Sequence, residues 1–352
     1  MATNTNICSR IIAGCYERTI LGYDVVELED NSEEEYELRP TFTDNSHTGC
    51  IKVLACNNTF LASGSTDETV HLYNLATNTD VGSLMQHDGS ITSLKFFKST
   101  HLMSAGSDGL LCIWNTNNWD CQKVLRGHRE AIHSLAVHPS GKLALTASKD
   151  KTLRTWNLVN GRPAYTTHIK EVADEVLWSP DGAIYLVIIG DKINIYDITT
   201  ATITDTIVHS SAIHAVTFIE ERIIALGGEG TDIVFYSLED VTSKPLGHFE
   251  AHDKRVKGLQ CVLDCSSNAL PDVRWIVSIS SDGFIKLWKI NVKKLSAKPK
   301  LLASRSTTAR LTCVTIQSTK VEDEEETKGQ GKRKHQKGKK GGQKKKQKKS
   351  VP

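Results

Sequence analysis

Lys149-Asp150-Lys151-Thr152-Leu153-Arg154-Thr155-Trp156 is one copy of a pattern that recurs along most of the chain. The copies are marked by an aromatic residue every 40 to 52 positions: Tyr23, Tyr73, Trp114, Trp156, Tyr196, Tyr236 and Trp288. A branched apolar residue stands three positions before each aromatic, with mostly polar or small residues between. This period-two alternation is typical of a half-buried β-strand. The pattern therefore predicts a repeated, strand-rich unit.

Four copies share a further set of residues, comprising a histidine, a serine or threonine, an aspartate and the aromatic. The sets are His47, Ser63, Asp67 and Tyr73; His87, Ser104, Asp108 and Trp114; His128, Thr146, Asp150 and Trp156; and His252, Ser278, Asp282 and Trp288. The period and the set resemble WD repeats, in which each unit is one four-stranded propeller blade. We expect each set to form one hydrogen-bonded network that specifies blade geometry.

The same residue types could form a hydrolase triad, but a triad occurs once per active site. Here the set occurs four times at nearly one spacing, which favours a structural role. The other three copies carry Glu17, Gly190 and Gly230 at the aspartate position, although His168 and His209 precede two of them. We expect those blades to depend on apolar packing and on their neighbours.

The two ends of the globular part predict how the ring closes. Residues 11–23 resemble the second and third strands of a blade that lacks its first strand, whereas residues 310–314 resemble a first strand alone. Joining them completes a seventh blade and leaves no open sheet edge. The chain is therefore predicted to be all-β: a seven-bladed WD-repeat propeller over residues 11–320, closed by N- and C-terminal strands. Residues 1–10 are predicted to be a flexible extension.

Residues 321–352 form a tail whose composition differs from that of the rest of the chain. It begins with an acidic run at residues 322–326 and has a net charge of +7, whereas residues 1–320 have a net charge of −5. Because it has almost no apolar residues, we expect it to be disordered. The cations expected to carry nuclear and nucleolar localisation, or contact with RNA phosphate, are Lys332, Arg333, Lys334, Lys337, Lys339, Lys340, Lys344, Lys345, Lys346, Lys348 and Lys349. A solubilising tail is the alternative.

No aromatic residue interleaves the tail lysines, so any contact with rRNA should be to the backbone and nonspecific. No apolar run reaches membrane length, so no membrane association is expected. The nine cysteines show no metal-ligand spacing and are expected to be free thiols. We identify no catalytic, cofactor-binding or metal-binding residue, and no pattern that predicts a small-molecule substrate. These features argue against an enzyme.

Two loops are predicted to be longer than their counterparts in other copies. One lies near residues 265–271, between the first two strands of its blade, and the other is the acidic run at residues 27–35 in the first blade. A partner-binding role and simple loop drift both remain open for the first. The second is interpreted as a solvated connection.

Several stretches resemble one family more specifically than a generic WD repeat does. They are residues 13–17, 109–114, 138–145, 149–158, 280–288 and 309–313, in order along the propeller. These stretches and the lysine-rich tail resemble the p21-activated-kinase-interacting WD-repeat proteins. The resemblance implies a non-enzymatic nucleolar scaffold that assists large-subunit (60S) ribosome assembly. It also implies binding to, and negative regulation of, p21-activated protein kinases. A signalling adaptor or ubiquitin-ligase substrate receptor is the alternative.

Overall fold

The computed structural model describes residues 7–28, 35–239, 244–264 and 269–318. In these ranges, 28 strands form seven four-stranded antiparallel sheets, and the helical content is one 3₁₀ turn at Val292–Lys294. Each sheet is one blade, with four successive strands running from the centre to the rim in six of the seven. The predicted seven-bladed propeller is therefore confirmed. The tail beyond residue 318 lies outside the described residues.

Blade 1 is built from both ends of the described chain. It comprises β28 (Leu311–Ser318), β1 (Ile7–Cys15), β2 (Ile20–Glu27) and β3 (Tyr36–Asp44), in that order from the centre. The pairing of β1 with β28 is antiparallel, with Ile11 opposite Ile316 and Gly14 opposite Cys313. Closure by one C-terminal and three N-terminal strands is thus confirmed.

Blades 2 to 4 have short strands joined by tight connections. Blade 2 comprises β4 (Ile51–Cys56), β5 (Phe60–Ser65), β6 (Val70–Asn74) and β7 (Thr79–Leu84). Blade 3 comprises β8 (Ile91–Phe97), β9 (His101–Gly106), β10 (Leu111–Asn115) and β11 (Cys121–Leu125). Blade 4 comprises β12 (Ile132–Val137), β13 (Leu143–Ser148), β14 (Thr152–Asn157) and β15 (Arg162–His168).

Blades 5 to 7 complete the ring, and the strands of blade 7 are longer. Blade 5 comprises β16 (Glu175–Trp178), β17 (Ile184–Ile189), β18 (Lys192–Asp197) and β19 (Ile203–Val208). Blade 6 comprises β20 (Ile213–Glu220), β21 (Ile223–Gly228), β22 (Asp232–Ser237) and β23 (Gly247–Glu250). Blade 7 comprises β24 (Val256–Leu263), β25 (Val273–Ser280), β26 (Phe284–Asn291) and β27 (Lys300–Ser306).

The first strand of the chain starts earlier than the sequence predicts. Residues 7–10 were expected to belong to a flexible extension, but β1 begins at Ile7, with Cys8 and Ser9 buried. The physical reason is that β1 pairs with β2 on one side and β28 on the other over most of its length. The prediction of a flexible segment over residues 7–10 is therefore wrong.

The hydrophobic core lies between the blades. Each apolar cluster joins two neighbouring sheets, such as Trp275 of blade 7 with Ile11 of blade 1, or Phe235 of blade 6 with Trp288 of blade 7. The cluster that joins blade 7 to blade 1 closes the ring with the same kind of packing as the others. Each blade therefore buries both faces, as expected for a radial repeat.

Antiparallel pairing places alternate connections on opposite faces of the ring. We call the face with the turns between second and third strands the upper face. On it the residue after the aspartate is left-handed, as in Lys151 (φ 61°) or Gly283 (φ 85°), which keeps the turn tight. The lower face carries the connections from first to second and from third to fourth strands.

Candidate functional site

The structure brings each of the four predicted sets together beneath the upper face. In blade 4, His128 Nδ1 lies 3.1 Å from Asp150 Oδ2, and its Nε2 lies 2.7 Å from Thr146 Oγ1. The indole of Trp156 donates to the same hydroxyl at 2.8 Å. This series of hydrogen bonds, from the carboxylate to the indole, therefore crosses the blade from its upper turn to its third strand.

The other three sets repeat this geometry closely. The distance from the histidine Nδ1 to the aspartate Oδ2 is 2.9 Å for His47 and Asp67, 2.9 Å for His87 and Asp108, and 3.0 Å for His252 and Asp282. The distance from the histidine Nε2 to the serine hydroxyl is 2.8 Å in all three sets, which contain Ser63, Ser104 and Ser278. Trp114 and Trp288 each donate to the serine hydroxyl at 2.9 Å.

Tyr73 differs from the tryptophans at the equivalent position. Its hydroxyl lies 2.8 Å from Asp44 Oδ1, an acceptor at the end of β3 in the neighbouring blade. Tyr73 therefore links its own blade to blade 1, and its hydroxyl also interacts with the Ser63 hydroxyl of the predicted network. The phenol hydroxyl is at the tip of a longer side chain than an indole N–H, which is why it reaches across the blade boundary.

Each aspartate is saturated by hydrogen bonds. Asp150 Oδ1 accepts from the backbone N and hydroxyl of Thr152, at 3.0 and 2.6 Å, and Oδ2 accepts from Arg129 N at 2.9 Å. Burial favours the protonated acid, but the bonds from Thr152, Arg129 and His128 outweigh it and hold the pKa of Asp150 well below its usual range. The carboxylate therefore stays charged and keeps the upper turn closed.

Burial also disfavours the charged form of two of the four histidines. It lowers the pKa of His128 and of His252 below the usual histidine value, although Asp150 and Asp282 act against it. Both rings are thus held neutral at physiological pH. A neutral ring can donate through one nitrogen and accept through the other, which matches its two partners.

The three blades without this network replace its central hydroxyl with an apolar residue. Strand pairing places Ala13, Val187 and Leu226 where the others have serine or threonine, and all three are fully buried. In each blade, this central position therefore carries either a hydrogen-bonded hydroxyl or an apolar side chain. This avoids a half-satisfied buried hydroxyl, which would be destabilising.

The upper turns of these blades use other polar contacts. Glu17 Oε2 accepts from Arg310 N at 3.2 Å, and Asp174 Oδ2 accepts from Gly190 N at 2.8 Å. His209 lies 3.3 Å from the Tyr236 hydroxyl. His168, which the sequence analysis placed at the start of a blade, is instead exposed at the end of β15.

The buried networks cannot serve as nucleophilic sites. The hydroxyls of Ser63, Ser104, Thr146 and Ser278 belong to residues with no exposed surface. Each hydroxyl is already bonded to a histidine, and three of them also accept from an indole. A substrate carbonyl could reach none of them, so the geometry supports a structural role.

The inner strands surround a central channel with a volume of about 580 Å³. Its charged lining includes Lys52, Lys95, Glu175 and Lys257. Burial in the channel raises the pKa of Glu175 to about 7, although the positive charge of Lys95 acts against it. These charged channel residues were not predicted from the sequence. Their signal was a charged residue on an otherwise largely apolar inner strand.

Two kinds of feature are absent from the described ranges. No group of three or more histidine, cysteine, aspartate or glutamate residues has the arrangement to hold a metal ion there. Within the same ranges, no helix has the length and apolar character needed to cross a bilayer. The tail cations from Lys332 to Lys349 lie outside the described residues.

The chain also matches known proteins. The family model "WD domain, G-beta repeat" matches residues 38–74, 78–115, 119–157 and 243–289, and each match contains one of the four network sets. The chain is 43% identical over 307 residues to "p21-activated protein kinase-interacting protein 1-like" of Danio rerio, covering 87% of this chain and 80% of that protein. The chain belongs to the p21-activated protein kinase-interacting protein 1 family.

More distant relatives of this chain are found in two yeasts. Protein MAK11 of Saccharomyces cerevisiae is 25% identical over 360 residues, covering 89% of this chain and 84% of that protein. Shk1 kinase-binding protein 15 of Schizosaccharomyces pombe is 25% identical over 284 residues, covering 79% and 77%. In each of these three relatives, the match extends over at least three quarters of both chains.

Proposed function

We propose that this protein is a non-enzymatic scaffold in the nucleolar assembly of the large (60S) ribosomal subunit, and that it binds and restrains p21-activated protein kinases. The observation that carries the proposal is membership of the kinase-interacting family over 87% of the chain. The partners proposed are pre-60S assembly proteins and a p21-activated kinase.

The propeller suits a scaffold for physical reasons. Its polar networks are buried and saturated, so they stabilise the blades and leave no reactive group for chemistry. Packing between every pair of neighbouring blades makes the ring rigid. A rigid ring presents two broad faces that several partners can contact at once.

Two relatives support the kinase part of the proposal by their names. One is named as interacting with p21-activated protein kinase and another as binding the kinase Shk1. We extend that property to this chain because the two similarities cover 87% and 79% of it.

The ribosomal part rests on the tail and on what the family resemblance implies. The tail combines the lysine clusters at residues 332–334 and 344–349 with almost no apolar residues. Such a segment suits nuclear and nucleolar targeting and nonspecific contact with rRNA phosphate. The mildly acidic propeller would then contact assembly proteins while the tail stays near RNA.

Affinity purification tests both parts. The full-length protein and a chain ending at Lys320 would each be purified from cells with and without RNase. We expect the full-length protein to recover pre-60S proteins, and the shorter chain to recover fewer of them. Recovery of a p21-activated kinase with both chains would support kinase binding by the propeller.

The result also separates the alternatives. If neither chain recovers pre-60S proteins, whereas both recover signalling proteins or ubiquitin-ligase subunits, the ribosomal role is wrong and the adaptor alternative replaces it. If RNase removes all pre-60S proteins from the full-length sample, contact through RNA explains the association, and direct protein binding is wrong.

A further inference from the structure

The longer connections of the lower face belong to the three neighbouring blades 6, 7 and 1. Between the first and second strands, blade 7 has residues 264–272, against 57–59, 98–100 and 221–222 in blades 2, 3 and 6. Between the third and fourth strands, blades 1, 6 and 7 have residues 28–35, 238–246 and 292–299, against 75–78, 116–120, 158–161 and 198–202 in blades 2 to 5. Neighbouring blades therefore extend their loops on one side of the ring.

Leu270 and the connection at residues 292–299 border a groove between blades 6 and 7. Its volume is about 360 Å³, and its floor is formed by Phe235, Val273, Ile290 and Leu295. Leu270 forms part of the wall and is 59% exposed. Covering an exposed apolar wall beside an apolar floor removes apolar surface from water and therefore lowers the free energy.

The rim of this groove is positively charged. Lys289, Lys294 and Lys298 line it, and no described carboxylate lies within ion-pair distance of them. Two nearby lysines are already paired, Lys293 with Asp272 and Lys300 with Glu35. Unpaired cations around an apolar floor are complementary to an acidic ligand that also carries apolar side chains.

A second lower-face groove provides a comparison. It lies between blades 3 and 4, has a similar volume of about 370 Å³ and is lined by Phe97, Met103 and Leu158. Its lysine, Lys123, donates to the Asn160 carbonyl oxygen at 2.9 Å. Similar grooves thus differ in charge, and the lysine rim belongs to the groove with the extended loops.

We propose that the groove between blades 6 and 7 binds an extended protein segment in which acidic residues flank leucine, isoleucine or phenylalanine. The apolar side chains enter over Leu270 and Leu295, and the carboxylates meet Lys289, Lys294 and Lys298. Such a docking site deepens the scaffold role proposed above and rests on it only for its biological use.

A protein segment fits this groove better than RNA does. The groove's aromatic residue, Phe235, is fully buried and offers no exposed ring on which a base could stack. The chain's own acidic run at residues 322–326 matches the charge, but it has no large apolar residue for the floor.

Selection from a random 12-residue peptide library displayed on phage, with the full-length protein as target, tests the proposal. We expect the enriched peptides to combine Asp or Glu with Leu, Ile or Phe. Binding of the synthesised consensus peptide should weaken about tenfold in the triple variant Lys289→Gln, Lys294→Gln, Lys298→Gln, and similarly in Leu270→Asp. Lys123→Gln, in the comparison groove, should bind as the wild type does.

Several outcomes would overturn the proposal. Basic or uncharged consensus peptides, or equal binding by the triple variant with its unfolding midpoint unchanged, would remove the site. Loss of oligo(U) binding in the triple variant of a chain ending at Lys320 would make the groove an RNA site. Stronger peptide binding after removal of residues 321–352 would assign the groove to the protein's own acidic run. None of these readouts depends on ribosome assembly, so the two proposals can fail separately.

Discussion

The guanidinium of Arg10 donates to the carboxylate of Asp24 at 2.6 Å, and both side chains are largely buried. The same guanidinium donates through Nη1 to the Leu75 carbonyl oxygen at 2.8 Å and to Asn78 Oδ1 at 2.9 Å. Arg10 therefore joins the second and third strands of blade 1 to the lower edge of blade 2. It fastens the blade that closes the ring.

Arg10→Met should destabilise the propeller by about 2–4 kcal/mol, because it leaves the Asp24 carboxylate buried without a cation. Chemical denaturation would measure the change. Arg39→Met, which breaks the exposed pair with Glu37, is the matched control and should cost less than about 1 kcal/mol. Equal, small effects in both variants would mean that Arg10 does not hold blade 1.

Asp150→Ala should lower the free energy of unfolding by about 1–3 kcal/mol, because it leaves the donors of Arg129 and Thr152 without their acceptor. Asp205→Ala, on the exposed outer strand β19, is the control and should be nearly neutral. Partner binding lost at an unchanged unfolding midpoint would instead identify Asp150 as a surface binding residue.

Glu175→Gln should raise the free energy of unfolding by about 3 kcal/mol more at pH 8 than at pH 4.5. The folded-state pKa of Glu175, about 7, is raised above that of an unfolded carboxyl. The folded protein therefore binds more protons than the unfolded chain between these values, and stability falls as the pH rises through them. Replacing the acid with an amide removes this loss.

Unfolding midpoints at several pH values measure the effect. Glu171→Gln, an exposed change that precedes the same blade, is the control and should leave the pH profile unchanged. The same pH profile in Glu175→Gln and the wild type would show that the channel does not perturb this carboxyl.

Removal of residues 321–352 should abolish nucleolar concentration, since these residues carry the dense positive charge of the chain. Fluorescence microscopy of the two chains in living cells is the measurement. Nucleolar concentration that persists without the tail would assign localisation to propeller partners.

Binding of the full-length protein to single-stranded RNA should weaken with salt at a log-log slope of about −0.7 per phosphate neutralised, with little dependence on base sequence. A five-site variant should weaken binding to all RNAs alike and flatten this slope; it carries Gln at Lys344, Lys345, Lys346, Lys348 and Lys349. A strong sequence preference that survives these changes would place the RNA site on the propeller.

The fold could be predicted because its determinants repeat. The aromatic period, the flanking alternation and the partial first and last copies together indicated seven blades and their closure, and the structure confirms both. The start of β1 could not be predicted, because Ser9 and Arg10 are held by pairing with β28, some 300 residues away in sequence. The bond from Tyr73 to Asp44 is likewise a contact between blades, and no spacing within one repeat indicates it.

The sequence alone thus determined the blade count, the closing strands and the residues available to each network, because each repeat contains its own strand alternation and turn residues. Only the tertiary structure decided how the blades meet. It placed Arg10 on Asp24, enclosed Glu175 in the channel, and brought the loops of blades 6 and 7 around one groove with Lys289 and Lys298 at its rim. Desolvation and charge pairing at those places depend on distances between residues far apart in the chain, which ring closure alone sets.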